Sequence, residues 1–370
     1  MLSEQDLGLM TDEVDRFVER VIRPVIPAAE HQIEQSTVDM LLAEADHAGI
    51  LGEGDENLGI WGGLHATPQF SISALQSITK ASAGLAWIFH QNALKRRIKV
   101  ELGVSISDFS VSYMGHYGIG GKPLVSYLFG QDKTEADYQY LKDFYDVENN
   151  YRLVTGLEGT DLIYIGIDDT IQDDKFNLVW KHKACETNET FPLKDHHGLD
   201  DVQVGQIKLS SSGSNLSMDN GLLKDLLFFD SLTIIAITQG VLGVARKAAD
   251  EYSKIRKQGG KPIIQHAAVQ ELLSTITATE QSGQLFLDSQ AKTRDKLKGL
   301  IEANRWRSHW MPQACQAANN AMQIHGGIGY MKDLGIEKVV RDCNTLRVIH
   351  GSPFQLALFS EAAEQLEALS

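Results

Sequence analysis

The chain has 370 residues, of which 43% are hydrophobic and 22% are charged, a composition typical of globular proteins. This length allows two or three domains and is sufficient for a large buried core. The formal net charge of −15 argues against nucleic acid as a partner, because binding to phosphates along a strand requires clustered Lys and Arg.

The three cysteines, Cys185, Cys315 and Cys343, are widely spaced and form no Cys-x-x-Cys pair. Neither a disulfide framework nor a zinc site is indicated, and we expect no bound metal. The N-terminus lacks a basic segment followed by an apolar core, and no uninterrupted apolar run approaches about 18 residues. A cytoplasmic location without a membrane partner is therefore expected.

Residues 1–112 are predicted to form an N-terminal helical domain. Apolar residues recur at helical spacing from Glu13 to Ala48, with Pro24 and Pro27 between two helices. The glycine-rich stretch from Gly52 to Gly63 predicts a loop. A further helical pattern runs from Ser71 to Leu102.

Residues 113–219 are predicted to form a small middle β domain. Short β-rich segments occur at Tyr151–Val154, Leu162–Ile167 and Asn177–Trp180, separated by Gly, Asp and Asn. The polar string from Ser210 to Asn215 is typical of a linker.

Residues 220–370 are predicted to form a C-terminal helical bundle. Helical patterns run approximately over Leu222–Gln258, Ile264–Ala303 and Trp306–Ile324, followed by a shorter segment and a terminal helix ending near Leu369. Long antiparallel helices with short connections are typical of a four-helix bundle.

The most informative motif follows the third of these helices. Gly326, Gly327 and Gly329 predict a tight turn that a ligand can approach closely, because no Cβ intervenes. A glycine C-cap would explain an isolated pattern of this kind equally well. Here Gln323 precedes the turn, Tyr330 follows it, and the pair Arg341-Asp342 and the segment Ile349-His350-Gly351-Ser352 lie farther on.

This segment resembles the signature of the acyl-CoA dehydrogenase family: Q-x-x-G-G-x-G-[YF], then Arg-Asp, then Tyr-Glu-Gly-Thr. The resemblance implies a mainly α fold in which an N-terminal helical domain, a middle β domain and a C-terminal four-helix bundle follow one another. It also implies FAD as cofactor and a homotetramer or dimer, with Gln323, Gly326, Gly327 and Ser352 binding a cofactor held mainly by a neighbouring subunit.

A second stretch, from Asp230 to Pro262, is similar to the part of the family that ends in R-x-x-F-G-K-P. There the Arg reaches the FAD pyrophosphate, so the resemblance makes Arg256 the corresponding ligand, which a guanidinium suits through bidentate hydrogen bonds. A solvated basic turn at a helix C-terminus is the alternative. Gly259 stands where the family has Phe, which removes an aromatic contact.

The catalytic base of the family is usually the Glu of Tyr-Glu-Gly-Thr, and His350 replaces it here. Asp230 matches the position at which isovaleryl-type members carry their base. Because both positions converge in that fold, we predict an Asp230–His350 pair in which the carboxylate fixes the imidazole tautomer and raises its proton affinity. The alternative is that Asp230 and His350 serve only structural roles.

The middle domain lacks the T-E-P, G-S-D and W-[IV]-[ST] segments of the family and is degenerate in this respect. The leading hypothesis is an FAD-dependent acyl-thioester dehydrogenase that removes an α-proton while the β-hydride passes to flavin, with acyl-CoA or an acyl carrier as substrate. One alternative is a catalytically silent subunit of a heteromeric acyl-CoA dehydrogenase. Another is a flavin monooxygenase, which the segment Ala81–Asn92 resembles.

Overall fold

The computed structural model combines helices at both ends of the chain with strands between them, which confirms the predicted fold class. It describes residues 4–26, 32–51, 59–62, 68–105, 109–112, 122–129, 134, 136, 139–141, 151–155, 161–168, 178–184, 188–192, 196–209, 212–217, 220–293 and 295–367.

Within the described residues, four helices precede the strands: α1 (Glu4–Phe17), which continues as a π-helical turn, α2 (Gln35–His47), α3 (Pro68–Thr79) and α4 (Ala83–Glu101). The predicted helical stretch from Ser71 to Leu102 is thus two helices. The second begins after Ser82, whose Oγ accepts a hydrogen bond from the Leu85 amide at 2.9 Å, as an N-cap hydroxyl does.

The strands described in the middle region form two sheets. Their bounds are β1 (Phe109–Ser112), β2 (Tyr151–Thr155), β3 (Asp161–Ile167), β4 (Leu178–Lys183), β5 (Asn188–Pro192), β6 (Val204–Leu209) and β7 (Ser214–Ser217). One sheet has the order β1-β3-β4-β7, with a parallel β1–β3 pair, and the other is antiparallel with the order β2-β6-β5. The three predicted β segments are confirmed, whereas the helix α5 (Lys122–Phe129) was not predicted.

The C-terminal region consists of long helices: α6 (Asn220–Ile255), α7 (Ala267–Gln290), α8 (Lys296–His325), α9 (Ile336–Leu346) and α10 (Pro353–Glu367). The predicted helix break between Ala303 and Trp306 is wrong. The chain breaks instead between α7 and α8, where Asp295 accepts hydrogen bonds from the amides of Leu297 and Lys298 and so caps α8.

Contacts between these helices define an up-down-up-down bundle. α6 and α8 run in the same direction, because Gly299 packs against Phe228 near their beginnings and His325 stacks on Tyr252 near their ends. α7 runs in the opposite direction to both. α9 and α10 together return along α8 as the fourth member.

The helix α6 is the central element of this bundle. Residues 221–255 are long and apolar enough to cross a membrane by length and composition. However, 89% of the most apolar window is buried inside the protein, as expected for a core helix that is hydrophobic on all sides.

A cluster of ion pairs fixes the loop at 196–202 to α9. Arg341 binds the side chains of Glu337 and Asp200, and Lys338 donates to Asp342 at 2.7 Å. Asp342 also accepts the Leu199 amide at 2.7 Å. The Arg-Asp pair of the motif therefore connects the middle region to the bundle, and the charged partners hold the pKa of Arg341 above its ordinary value.

Candidate active site

Asp230 and His350 meet in the bundle, as predicted. His350 lies in the turn between α9 and α10, and its Nδ1 is 2.7 Å from Oδ2 of Asp230 on α6. The Asp230 side chain is 1% exposed and the His350 side chain 23% exposed. The carboxylate is therefore enclosed, and the imidazole is the member of the pair that can touch a ligand.

A second histidine, His90 of α4, binds the other oxygen of the same carboxylate. Its Nε2 lies 2.6 Å from Oδ1 of Asp230, and its side chain is fully buried. The Trp61 indole donates to His90 Nδ1 at 2.9 Å. Asp230 is thus held between two imidazoles that approach from different parts of the chain.

Two of these side chains lie on left-handed backbone. Trp61 has a φ of 56° and His350 a φ of 50°, a conformation that costs a non-glycine residue about 1–2 kcal/mol. Strain of this kind concentrates at functional sites, where the surrounding structure enforces it. The Trp61 amide is fixed by the Ser71 hydroxyl at 2.8 Å.

The turn that carries His350 is fixed by a buried guanidinium. Arg307 of α8 donates from Nη2 to the Ile349 carbonyl at 2.6 Å and from Nη1 to the Ser231 hydroxyl at 3.2 Å. Ser231 in turn donates to Asn304 at 2.8 Å. Arg307 therefore joins the His350 turn to the helix that carries Asp230.

Aromatic rings surround the pair. Trp87 makes an edge contact with His350, with ring centroids 5.5 Å apart, and Trp61 stacks on Phe229 at 4.5 Å. Both indoles are almost completely buried. Such walls exclude water, and hydrogen bonds strengthen in the resulting low dielectric.

The electrostatics of the site keep Asp230 ionised. Burial alone would raise the pKa of its carboxyl, but the hydrogen bonds and charges of His350 and His90 overcome that effect and hold the pKa well below its ordinary value. Burial lowers the pKa of His90, an effect that Asp230 offsets only in part. The arrangement is therefore a carboxylate that accepts from a neutral His90 and from His350.

The predicted cofactor ligands Arg256, Gln323, Gly326 and Gly327 lie together at the opposite end of the bundle. The stacking of Tyr252 on His325, with centroids 4.6 Å apart, brings the end of α6 beside the end of α8. Arg256, Gln323 and Gly327 are exposed there. A Cβ placed on Gly326 or Gly327 would meet no atom within 4 Å, so the backbone of this turn is open.

These residues are far from Asp230 of the same chain. From Asp230 to the end of α6 there are 25 residues, which at about 1.5 Å per residue correspond to about 38 Å. This length exceeds the reach of an extended dinucleotide. One cofactor that touched both regions would therefore have to lie between two subunits.

Ser352 lies at the other end, next to His350, and its role as a cofactor ligand stays a prediction. Its amide donates to Gln355 Oε1 at 2.9 Å, and its hydroxyl lies 3.4 Å from the Gln355 amide. This reciprocal pattern is a capping box at the start of α10.

Gly259 has a simpler explanation than a lost aromatic contact, because its φ of 58° and that of 81° at Gly260 form the tight turn of a hairpin.

This fold defines the class of the protein, an acyl-CoA dehydrogenase-like helical architecture. Among solved structures, butyryl-CoA dehydrogenase of Megasphaera elsdenii aligns with a TM-score of 0.71 at 15% identity, covering 99% of both chains. The flavoprotein nitroalkane oxidase aligns with a TM-score of 0.73 at 13% identity, covering 100% of this chain and 97% of its own. These likenesses show the fold.

The sequence comparisons identify the family of the C-terminal region. Residues 232–353 match the family described as "Acyl-CoA dehydrogenase, C-terminal domain". The 3-(aryl)acrylate reductase of Clostridium sporogenes is 30% identical over 156 residues, which are 41% of this chain and 41% of that protein. Residues 232–353 therefore carry the C-terminal domain of the acyl-CoA dehydrogenase family, and the chain matches less than half of the length of such curated relatives.

The sequence did not predict the roles of His90 and Trp61 in the site, nor that of Arg307. His90 lies three positions after Trp87 on a helix with an otherwise apolar face, where a lone histidine is usually structural. His90 lies within the segment Ala81–Asn92, whose resemblance to flavin monooxygenases predicts no contact with Asp230. Trp61 lies within the glycine-rich stretch from Gly52 to Gly63, which predicts a loop and no contact.

Proposed function

We propose that this protein is a flavin-dependent oxidoreductase acting on acyl thioesters, with His350 as the base that takes the α-proton. The single observation that carries the proposal is the contact between His350 and Asp230 at 2.7 Å. The family match of residues 232–353 suggests the reaction class, and the geometry suggests the proton acceptor.

The base is His350 and not Asp230, because only His350 is accessible. Asp230 is 1% exposed and both its oxygens are engaged by imidazoles. When Nδ1 of His350 carries the proton donated to Asp230, the lone pair of the neutral ring is on Nε2. This nitrogen accepts the α-proton, and the carboxylate stabilises the imidazolium that results.

The residues of the chain fit FAD. Arg256 is an exposed guanidinium, and the open backbone at Gly326 and Gly327 together with the Gln323 amide would hold the adenosine and pyrophosphate part of a cofactor shared with another subunit. The chemistry that FAD supplies when bound is acceptance of the hydride from the substrate β-carbon. A homotetramer or dimer follows from this sharing. The acyl-CoA or acyl-carrier substrate is proposed from the family match of residues 232–353 alone.

The first experiment asks whether purified protein retains FAD and transfers electrons to it. We expect a yellow protein whose visible absorption is bleached under anaerobic conditions by one of a set of short-, medium-, long- and branched-chain acyl-CoAs. His350→Gln should bind FAD normally and lose bleaching. If His350→Gln and Asp230→Asn both reduce the flavin at the wild-type rate, the assignment of the base is wrong.

The same protein distinguishes the two alternatives. A colourless chain that acquires FAD only with a second, competent subunit would indicate a catalytically silent partner. Oxygen consumption with supplied reduced flavin, without bleaching by acyl-CoA, would indicate a monooxygenase. The enclosed carboxylate and its two imidazoles favour the dehydrogenase-type reaction, since a silent subunit has no need of them.

A matched pair of glycine variants tests the cofactor site independently of catalysis. A Cβ at Gly327 meets nothing within 4 Å, whereas one at Gly329 meets the Met322 carbonyl at 2.5 Å. We expect Gly327→Ala to keep its thermal stability and to lose FAD affinity, and Gly329→Ala to lose stability. Unchanged FAD affinity in Gly327→Ala would remove this turn from the cofactor site.

A further inference from the structure

We infer that His90 is a positioning residue of the site, held by Trp61 in the tautomer that donates to Asp230, and that it sets which nitrogen of His350 is the base. The role of His350 rests on the proposed function, whereas the tautomer of His90 rests on geometry alone. Nothing in the family motif assigns either His90 or Trp61.

The argument begins at the Trp61 indole, whose N–H can only donate a hydrogen bond. It lies 2.9 Å from Nδ1 of His90, so that nitrogen must be the acceptor. The Thr233 hydroxyl, also 2.9 Å from Nδ1, is a second donor to it. The proton of the neutral imidazole is therefore on Nε2.

The Nε2–H of His90 then points at Asp230 across 2.6 Å. A carboxylate that accepts this bond on Oδ1 keeps Oδ2 directed at His350, where it accepts from Nδ1 at 2.7 Å. The chain of contacts from Trp61 through His90 and Asp230 to His350 thus has one consistent proton arrangement. In that arrangement the basic atom of His350 is Nε2.

The positions of these side chains support a built arrangement. Trp61 and His350, the two ends of the chain of contacts, both lie on left-handed backbone, with φ values of 56° and 50°. Neither His90 nor Asp230 has more than 1% of its side chain exposed. Water therefore cannot replace the hydrogen bond that Trp61 donates to His90 or the one that His90 donates to Asp230.

Among the described residues, other charged side chains near the site come from α4, α6 and α8. Arg307 of α8 is directed at the Ser231 hydroxyl and the Ile349 carbonyl. Farther along, a second group of charges surrounds Phe229, with Arg97 and Lys296 each 5.2 Å from its ring centroid and Asp225 paired with Arg97.

The direct test is the tautomer of His90, measured by ¹⁵N magic-angle-spinning NMR on histidine-labelled wild-type protein, with His90→Gln used for assignment. We expect a protonated Nε2 and an unprotonated Nδ1 that do not change between about pH 5.5 and pH 8, the range in which an unperturbed histidine titrates. A protonated Nδ1, or titration of His90 in this range, would overturn the inference whether or not the protein is an enzyme.

Two variants of His90 test its effect on His350. Gln places an amide N–H near the position of Nε2 and retains the donor, whereas Leu removes it. With Leu, Oδ1 of Asp230 loses its donor and the carboxylate is no longer fixed, so the proton of His350 should no longer be confined to Nδ1 in the ¹⁵N spectrum. With Gln the ¹⁵N pattern of His350 should stay that of the wild type.

The reaction rate supplies the functional readout. We expect kcat/KM to fall in His90→Leu and to be retained in His90→Gln, which keeps the donor to Asp230. A structural role alone would lower kcat/KM in both variants and leave the ¹⁵N pattern of His350 unchanged, and that result would refute the inference. If His90→Leu does not fold, Trp61→Phe replaces it as the test. Phe keeps the stacking on Phe229 and removes the donor to Nδ1 of His90. The nitrogen signals of His90 should then change.

Discussion

Arg307 is the residue whose replacement tests most directly how the His350 turn is held. Arg307→Met keeps the length and the apolar stem of a buried side chain and removes two hydrogen bonds from a charged donor, to Ile349 and to Ser231. Each such bond contributes about 1.5–3 kcal/mol. Part of this sum is regained because a guanidinium no longer has to be desolvated.

We therefore expect the free energy of unfolding to fall by about 3 kcal/mol. With an unfolding entropy of about 2 cal/mol/K per residue, this change corresponds to a decrease of about 4 °C in Tm for the whole chain. The left-handed conformation at His350 costs about 1–2 kcal/mol and would relax once Arg307 is gone. His350 would then lose its contact with Asp230. We therefore expect kcat/KM to fall by a larger factor than the decrease in the fraction of folded protein would produce.

Differential scanning calorimetry and flavin reduction measured on the same preparations check both expectations. Arg305→Met is the control, because Arg305 lies on the same helix, is 43% exposed and pairs with Glu364 at the surface, where a salt bridge contributes about 0–1 kcal/mol. Arg307→Lys should fall between Met and the wild type, since lysine retains the charge without the planar fork. Equal Tm and equal activity in Arg307→Met and Arg305→Met would refute the reasoning.

Three further outcomes follow from individual contacts. The pKa of Asp230 is lower in the folded state than in the unfolded state, so its ionised form stabilises the protein at neutral pH and this stabilisation is lost on acidification. In urea denaturation, Asp230→Asn should have a lower free energy of unfolding than the wild type, and this difference should shrink as the pH falls below about 4. Ser352→Ala should lose about 1 kcal/mol of stability through its cap, measured by the same method, and Ser352→Thr should not. Lys338→Met leaves Asp201 and Asp342 facing each other without their cation, so Tm should fall at neutral pH and partly recover in acid; no recovery would contradict this account.

The parts that sequence predicted correctly depend on local patterns. The periodicity of apolar residues identified α6 and the bundle. The contact between His350 and Asp230, which lie 120 residues apart, was predicted from the family resemblance, because the two positions at which the family carries its base converge in that fold.

The parts that sequence did not predict depend on contacts between distant segments. The break between α7 and α8 contains no Gly or Pro, and its signal is the single capping residue Asp295. Trp61, which itself lies on left-handed backbone, donates to His90 across 29 residues of the chain. His90 itself is one polar residue on a buried helix face, and its partner is 140 residues away, beyond any periodicity or motif.

The acyl-CoA dehydrogenase family usually has a glutamate where this chain has His350. This replacement is physically coupled to the presence of Asp230 beside it. Two carboxylates at a separation of about 3 Å cannot both be ionised in a buried site, so His350→Glu alone should force one of them to bind a proton. Its pKa would be raised above the unfolded value, and the stability of the variant should therefore fall as the pH rises above about 4. In His350→Glu combined with Asp230→Asn, the amide oxygen can accept from His90 while the amide N–H donates to the new carboxylate. We expect the double variant to be more stable at pH 8 than His350→Glu and to reduce its flavin faster, as a double-mutant cycle would measure. If the two substitutions act additively, His350 and Asp230 do not function as a pair.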